Sequence, residues 1–352
     1  MKTKLLSAFV LLFMSIAANA YDVEVDGVYY NVDLTTLEAS VTKGGDVYQQ
    51  TYYSGDVVVP DSFTYGGRVF KVTAVDYCAF EWNKELNSVT LPNTIKFIGD
   101  QAFIRCENLM NVKLPDSITA IPTQCFAFCK TLNHIDIPNS VTYYGNGAFE
   151  ECYSLGPSFI VGRNVQLLDG SPWSSCTSME KIIFEDTTAT LECGNRWLNP
   201  LNFSGVDSIY VGRPIDFSLS YLGMEKMNYI ELGQNLKTGD VIGISDNLKT
   251  LVSDIMDPTQ FVPDFTNNVY LHTTLYVPVG KVDAYRQAEG WKNFFDIREN
   301  HGEVNKIDNV TAAKKAGATM YYNLSGQAVA KDYKGVVIER YSDGTSKKVL
   351  NK

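Results

Sequence analysis

The sequence predicts a repeat solenoid. Short parallel strands with irregular or helical returns are stacked coil on coil, with a β cap at the N-terminal end and a small C-terminal β module. Three observations carry this. Between Val89 and Gly156 marker residues recur every 23 positions: Pro92, Pro115 and Pro138; Phe103, Phe126 and Phe149; Cys106, Cys129 and Cys152; Leu109, Leu132 and Leu155. A fixed period of this size marks stacked supersecondary units. Each unit also opens with apolar residues two apart, Val89/Leu91, Val112/Leu114 or Ile135/Ile137, which reads as a short strand with one face turned inward. The proline that follows cannot donate to a ladder and ends the strand. Finally, the apolar residues of one unit are too few to form a core alone, so the faces must be buried by stacking.

The elements follow in chain order. Residues 1–20 carry Lys2 and Lys4, an apolar run from Leu5 to Ala18, and Ala18-Asn19-Ala20 before Tyr21. That is the pattern of a signal peptide cleaved after Ala20, with a run too short for a membrane span. Residues 21–56 do not repeat. They alternate like antiparallel strands, with Asp26-Gly27 and Gly44-Gly45 as turns, and read as the cap over the first coil. The solenoid runs over 57–299. Its first coil starts at Val57 and is 32 residues long, with Val72, Val75, Phe80 and Leu86 inward. After the clear units the rhythm persists in the strand starts Phe159, Ile182, Ile209, Ile230, Leu251 and Leu275, which gives about ten coils. In the last coil Ala284, Ala288, Trp291 and Phe295 share one helix face, a larger element that closes the stack. Ile95, Ile98 and Phe103 are spaced too irregularly for a second strand and suit a short helix or turn. Residues 300–318 are polar and small and read as a linker. Residues 319–352 alternate again around Ser325-Gly326 and Asp343-Gly344.

The repeat pattern of strand, Pro, Asn/Asp-Ser-Ile/Val, Ala-Phe, Cys and Leu resembles the BspA-type, or Treponema-type, leucine-rich repeat of exported bacterial proteins. The resemblance implies a curved binding scaffold, secreted or on the cell surface, without catalytic residues. It makes host matrix proteins plausible partners. The closing repeat is also similar to that of BspA-type proteins. The tail resembles the short C-terminal β modules of exported Bacteroidetes proteins.

The chain has 30 basic and 40 acidic residues. Removal of Lys2 and Lys4 with the leader leaves 28 against 40, a net charge of about −12. Such a surface argues against nucleic acid and anionic membrane as partners. Cys106, Cys129, Cys152 and Cys176 share one repeat position, held by Asn83 in the first coil. They are read as a structural ladder of buried thiols that satisfies backbone groups of the bend. Cys125 fills the place of Ala79, Ala102 and Ala148, while Cys78 and Cys193 have no repeat partner. His134, His272 and His301 are scattered, and no nucleophile, phosphate-loop or metal motif is present. No cofactor or metal is expected. A polysaccharide-active enzyme, which needs only two suitably spaced carboxylates, ranks third among the functions.

The informative surface is the outward residue of each strand: Thr90, Lys113, Asp136, Ile160, Ile183, Tyr210, Glu231, Val252 and Tyr276. Stacking sets these side by side on the concave face. Arg163 and Arg213, each after a glycine at a strand exit, form the expected polar rim. Apolar residues exposed in such a row mark a contact site. The alternative is an added layer, the tail or another chain, covering them. The leading function is binding of an extracellular protein or glycan through this face, and the runner-up is a structural or assembly component of the cell envelope.

Overall fold

The computed structural model describes residues 21–45, 50–51, 53–194, 200–202, 204–217, 226–237, 246–302 and 304, and the backbone of the strands Ala318–Asn323, Ala328–Val329, Gly335–Tyr341 and Ser346–Asn351. The expected leader, the turns at Ser325-Gly326 and Asp343-Gly344 and most of the expected linker lie outside these residues. The fold is a parallel β-solenoid of about nine turns with little helix. It divides into two units, Met1–Leu155 with Leu167–Cys176, and Gly156–Gln166 with Thr177–Lys352.

The first unit opens with the antiparallel strands Val23–Val25, Val28–Asp33 and Glu38–Val41. Asp26 and Gly27 join the first pair with φ of 50° and 76°, the two left-handed residues that a tight hairpin turn needs. Glu38–Val41 then runs parallel to Arg68–Val75, tying the opening strands to the first coil. Gly44-Gly45 is not the expected turn. The pair forms a two-residue strand against Gln50–Thr51, and Gly44 lies so close to the Tyr29 ring that a Cβ would collide with it.

Gly55–Val58, Leu86–Thr90 and Asn111–Lys113 form a parallel sheet in which Val57, Val89 and Val112 are aligned and point inward. Ile135 is buried in turn, but residues 132–138 form no strand among the described residues. The returns differ from expectation: they hold further strands instead of helix. Phe97–Ile98 pairs with Ala74–Val75, and Ala120–Ile121, Tyr143–Tyr144 and Leu167–Leu168 form a parallel ladder. With a single inward residue per strand, such as Ile98 or Ile121, no alternation can show in the sequence.

The remaining edge of each coil is a turn whose amides alternate in purpose. Gln101, Phe103 and Arg105 donate to the carbonyls of Thr123, Cys125 and Ala127 in the next coil at 2.8–2.9 Å, while Ile104 and Cys106 donate back to Gln101 and Phe103. The chain achieves this with left-handed residues at Gln101 and Arg105, and again at Gln124 and Phe128. That conformation is uncommon for residues with a Cβ, and here it lets neighbouring amides point in turn to the next coil and back into their own. Inside this edge Phe80, Phe103, Phe126 and Phe149 are fully buried and stack at centroid separations of 4.9, 5.1 and 5.5 Å.

The second unit contains a seven-stranded parallel sheet: Ser158–Val161, Lys181–Phe184, Ser208–Val211, Tyr229–Leu232, Thr250–Ser253, Thr274–Pro278 and Asp296–Asn300. Phe159, Ile182, Ile209, Ile230, Leu251, Leu275 and Ile297 stand in one register and are buried. The closing helix is short, Val282–Gln287, followed by a 3-10 turn at Trp291–Asn293. Its buried residues are Tyr285, Ala288, Trp291 and Phe294, while Ala284 is exposed and Phe295 is 83% exposed. The expected face fails because the helix ends at Gln287 and Gly290, at φ 76°, redirects the chain before the next turn begins. The four C-terminal strands pair antiparallel in the order Ala328–Val329, Ala318–Asn323, Gly335–Tyr341, Ser346–Asn351.

Candidate functional site

The outward strand faces of the two units differ in character. In the first unit Val58 is 68% exposed, and Lys113 and Asp136 are exposed, with Thr90 half-buried. His134 Nε2 lies 3.1 Å from Asp136 Oδ1. That hydrogen bond, with the charge of the carboxylate, raises the imidazole pKa against the opposing effect of desolvation. Ser88 donates to Asp56 at 2.6 Å on the same face. This is a solvated, charged surface.

In the second unit Ile160, Ile183, Tyr210, Glu231, Val252 and Tyr276 are aligned as the repeat register requires. Beside them runs a second outward row that includes Lys181, Ser208, Tyr229 and Thr250. The row is not an open patch. Ile183 is 4% exposed and Val252 is fully buried; with Tyr229 they form an apolar cluster against which Ile160, Tyr210, Tyr276 and Val304 pack. Glu231 is buried beside it, and the Tyr229 hydroxyl lies 3.0 Å from its carboxylate and 2.9 Å from the Val304 carbonyl. Tyr210 donates to the Asp186 carboxylate, at 2.9 and 3.0 Å from its two oxygens. Burial first, and then Asp186, raises the pKa of that phenol.

The two arginines part company. Arg163 is exposed and its Nε lies 3.7 Å from Glu185. Arg213, expected at the rim, is fully buried. Its Nε donates to the Ala189 carbonyl at 3.1 Å, and Nη1 reaches the carbonyls of Gly162 and Arg163 at 3.4 and 3.3 Å. Carbonyls turned inward at strand exits need donors, and the guanidinium supplies them from one side chain. Burial lowers its pKa to about 10.

The cysteines form a ladder of thiols that donate to carbonyls. Cys106, Cys129, Cys152 and Cys176 donate to Phe80, Phe103, Phe126 and Phe149, each in the preceding coil, at 2.8, 3.1, 3.0 and 3.0 Å. Burial pushes Cys106 and Cys176 up to about 12 and Cys129 and Cys152 well above the ordinary thiol range. Thiols held protonated and out of solvent are poor nucleophiles. In the native chain a maleimide should therefore label little. Under denaturing, non-reducing conditions intact mass should show all seven thiols labelled; fewer than four would mean that the ladder is cross-linked.

Sequence reasoning overlooked two surface ladders. Gln101 accepts from the Tyr77 hydroxyl at 2.8 Å and from Cys78 Sγ at 3.5 Å, and donates to Gln124 Oε1 at 2.7 Å. Cys78 thus does have a place in the repeat, 23 residues before Gln101. Arg105 is sandwiched between Trp82 and Phe128, its guanidinium 4.6 and 4.2 Å from the ring centres. The spacing of 23 was the available signal, masked by unlike residue types.

Among the described residues no group of three or more His, Cys, Asp or Glu is placed to hold a metal, and no helix is long and apolar enough to cross a membrane. No curated protein matches the chain. Among solved structures the chain is similar to a leucine-rich repeat protein from Bacteroides ovatus, 19% identical, covering 79% of this chain and 67% of that one at a TM-score of 0.53. It is also similar to a leucine-rich repeat protein of T. pallidum (21% identical, 63% and 86% covered, TM-score 0.44). A third likeness is to a leucine rich cell surface protein of Faecalibacterium prausnitzii (15%, 80% and 95%, 0.35). The family described as the BspA type leucine rich repeat region matches residues 72–194 in six copies. Register, ladders and match agree: the repeat region at 72–194 is a BspA type leucine rich repeat region.

Proposed function

We propose that this protein is an exported, non-catalytic recognition scaffold that binds an extracellular protein or glycan through the polar strand face of its first unit. One observation carries the reading: the coil spends its thiols, amides and rings on supporting its neighbours, whereas Lys113, Asp136 and His134 stand in solvent on the outer surface of successive coils. Side chains pre-positioned on a fixed backbone lose little entropy on binding. The signal-peptide pattern of residues 1–20 supports export, and the BspA-type repeat supports a surface or secreted scaffold. A second reading, a structural component of the cell envelope, draws on the covered row of the second unit. The test is binding of the chain from Tyr21 to Lys352 to an array of matrix proteins and glycans, beside a Lys113→Glu, Asp136→Lys variant. Binding that falls at least about tenfold in a variant with unchanged melting supports recognition through this face. A blank array favours the envelope reading.

A further inference from the structure

The outward face of the first unit's opening sheet bears a groove. Asn31, Ser40, Ala74 and Phe97 stand in register across the strands Val28–Asp33, Glu38–Val41, Arg68–Val75 and Phe97–Ile98. Tyr30, Val41, Val75 and Ile98, one residue away on each strand, are buried on the inner face. At the Asn31 and Ser40 end of the outward row lies an open groove of about 360 Å³, whose lining includes Asn31, Asp33, Thr36, Glu38, Ser40 and Thr73. Thr73 reaches it because the ladder slips there. Ala39 pairs with Val72 and Ser40 with Ala74, which makes Thr73 the extra residue of a β-bulge, a device that re-aims a side chain.

The groove offers hydrogen-bonding side chains and little else. Asn31 Nδ2 donates to Asp76 Oδ2 at 2.8 Å, which fixes the amide and leaves its oxygen to accept. Among the described residues the half-buried Ser40 and Thr73 hydroxyls make no hydrogen bond. Asp33 and Glu38 face each other in register, and no basic side chain lines the groove, so an anionic ligand is repelled. The main chain of these strands is paired in the ladder, so an extended peptide finds no backbone to pair with. Two strand steps from Ser40, about 10 Å away, the Phe97 side chain is 63% exposed, and Ala74 between them keeps the floor low. Hydroxyls, an amide oxygen and carboxylates beside an apolar ring suit a ligand with many hydroxyls along its edge and C–H groups on its face. That is the surface of a pyranose.

We propose that this groove is a saccharide-binding site for a neutral glycan, with the sugar hydroxyls on Asn31, Glu38, Ser40 and Thr73 and a C–H face on the Phe97 ring. It shares no residue with the surface of Lys113 and Asp136, so the two sites stand or fall separately.

The test is calorimetric titration of the whole mature chain, Tyr21 to Lys352, with cellohexaose, maltohexaose, laminarihexaose and mannohexaose. At least one should bind with a Kd below about 1 mM. Its affinity should fall at least about tenfold in Phe97→Ala and in a Ser40→Ala, Thr73→Val double variant, each with an unchanged melting curve, and should hold in the Lys113→Glu, Asp136→Lys variant. No binding by any of the four to the unaltered chain overturns the proposal, as does affinity that the groove variants leave unchanged. Tighter binding of hexagalacturonate or of a hexalysine peptide, lost in the same variants, also overturns it, since the groove would then read charge. Hydrogen exchange on the unaltered chain decides the matter if the variants do not fold. Slowing by saturating sugar at Glu38–Val41 and Thr73–Val75 supports the site, and slowing confined to other segments refutes it.

Discussion

Phe126→Ala is expected to lower stability by about 3–5 kcal/mol, against about 1 kcal/mol for Cys129→Ala three residues on. Both side chains are fully buried, so exposure does not separate them. The difference lies in what each contacts. The Phe126 ring stacks between Phe103 and Phe149, and its removal opens a void against two coils at once. The neighbours cannot close in, because the hydrogen bonds that the Phe103 and Phe126 amides donate to the Cys125 and Ala148 carbonyls fix the coil spacing. Cys129 contributes one weak donor to a carbonyl. Urea unfolding followed by circular dichroism gives both values; comparable losses would show that the thiols, not the rings, hold the stack.

Trp291→Ala is expected to cost a similar amount, about 3–5 kcal/mol, with the damage confined to the last coil. The indole is fully buried, contacts the Tyr285, Phe261 and Phe294 rings, and donates to the carbonyls of Pro258 and Phe261 at 3.1 and 2.8 Å. Trp291→Phe keeps a ring but strands those carbonyls and should cost about 1–3 kcal/mol. Limited proteolysis is the discriminating measurement: cleavage of the alanine variant should appear after Pro258 while the Phe80–Phe149 coils stay intact. Simultaneous loss of both regions would contradict a local role.

The repeat was legible because the inward residues had little freedom. Phe103, Phe126 and Phe149 are interchangeable by position, and the strand starts from Phe159 to Leu275 kept their rhythm after the motif itself had faded. What escaped was whatever depends on residues distant in sequence or on elements too short to alternate. Ile98 sits in a strand of two residues, below the length at which period 2 can be read. Ile183 and Val252 look like exposed outward residues until Val304 is seen on them, more than fifty residues beyond Val252 and outside any repeat. Arg213 follows a glycine at a strand exit as Arg163 does, yet one is buried among carbonyls and the other pairs with Glu185 at the surface. Position in the repeat was visible for both, and the depth was not.

The coil-to-coil hydrogen bonds also bear on how the first unit answers a mechanical load. Successive coils are joined side by side, strand to strand and turn to turn, so tension applied through the chain peels one coil from the next and does not shear a whole sheet. Each detached coil of 23 residues releases on the order of 75 Å of chain. The unit is therefore built to lengthen in steps while the coils behind the break keep their packing.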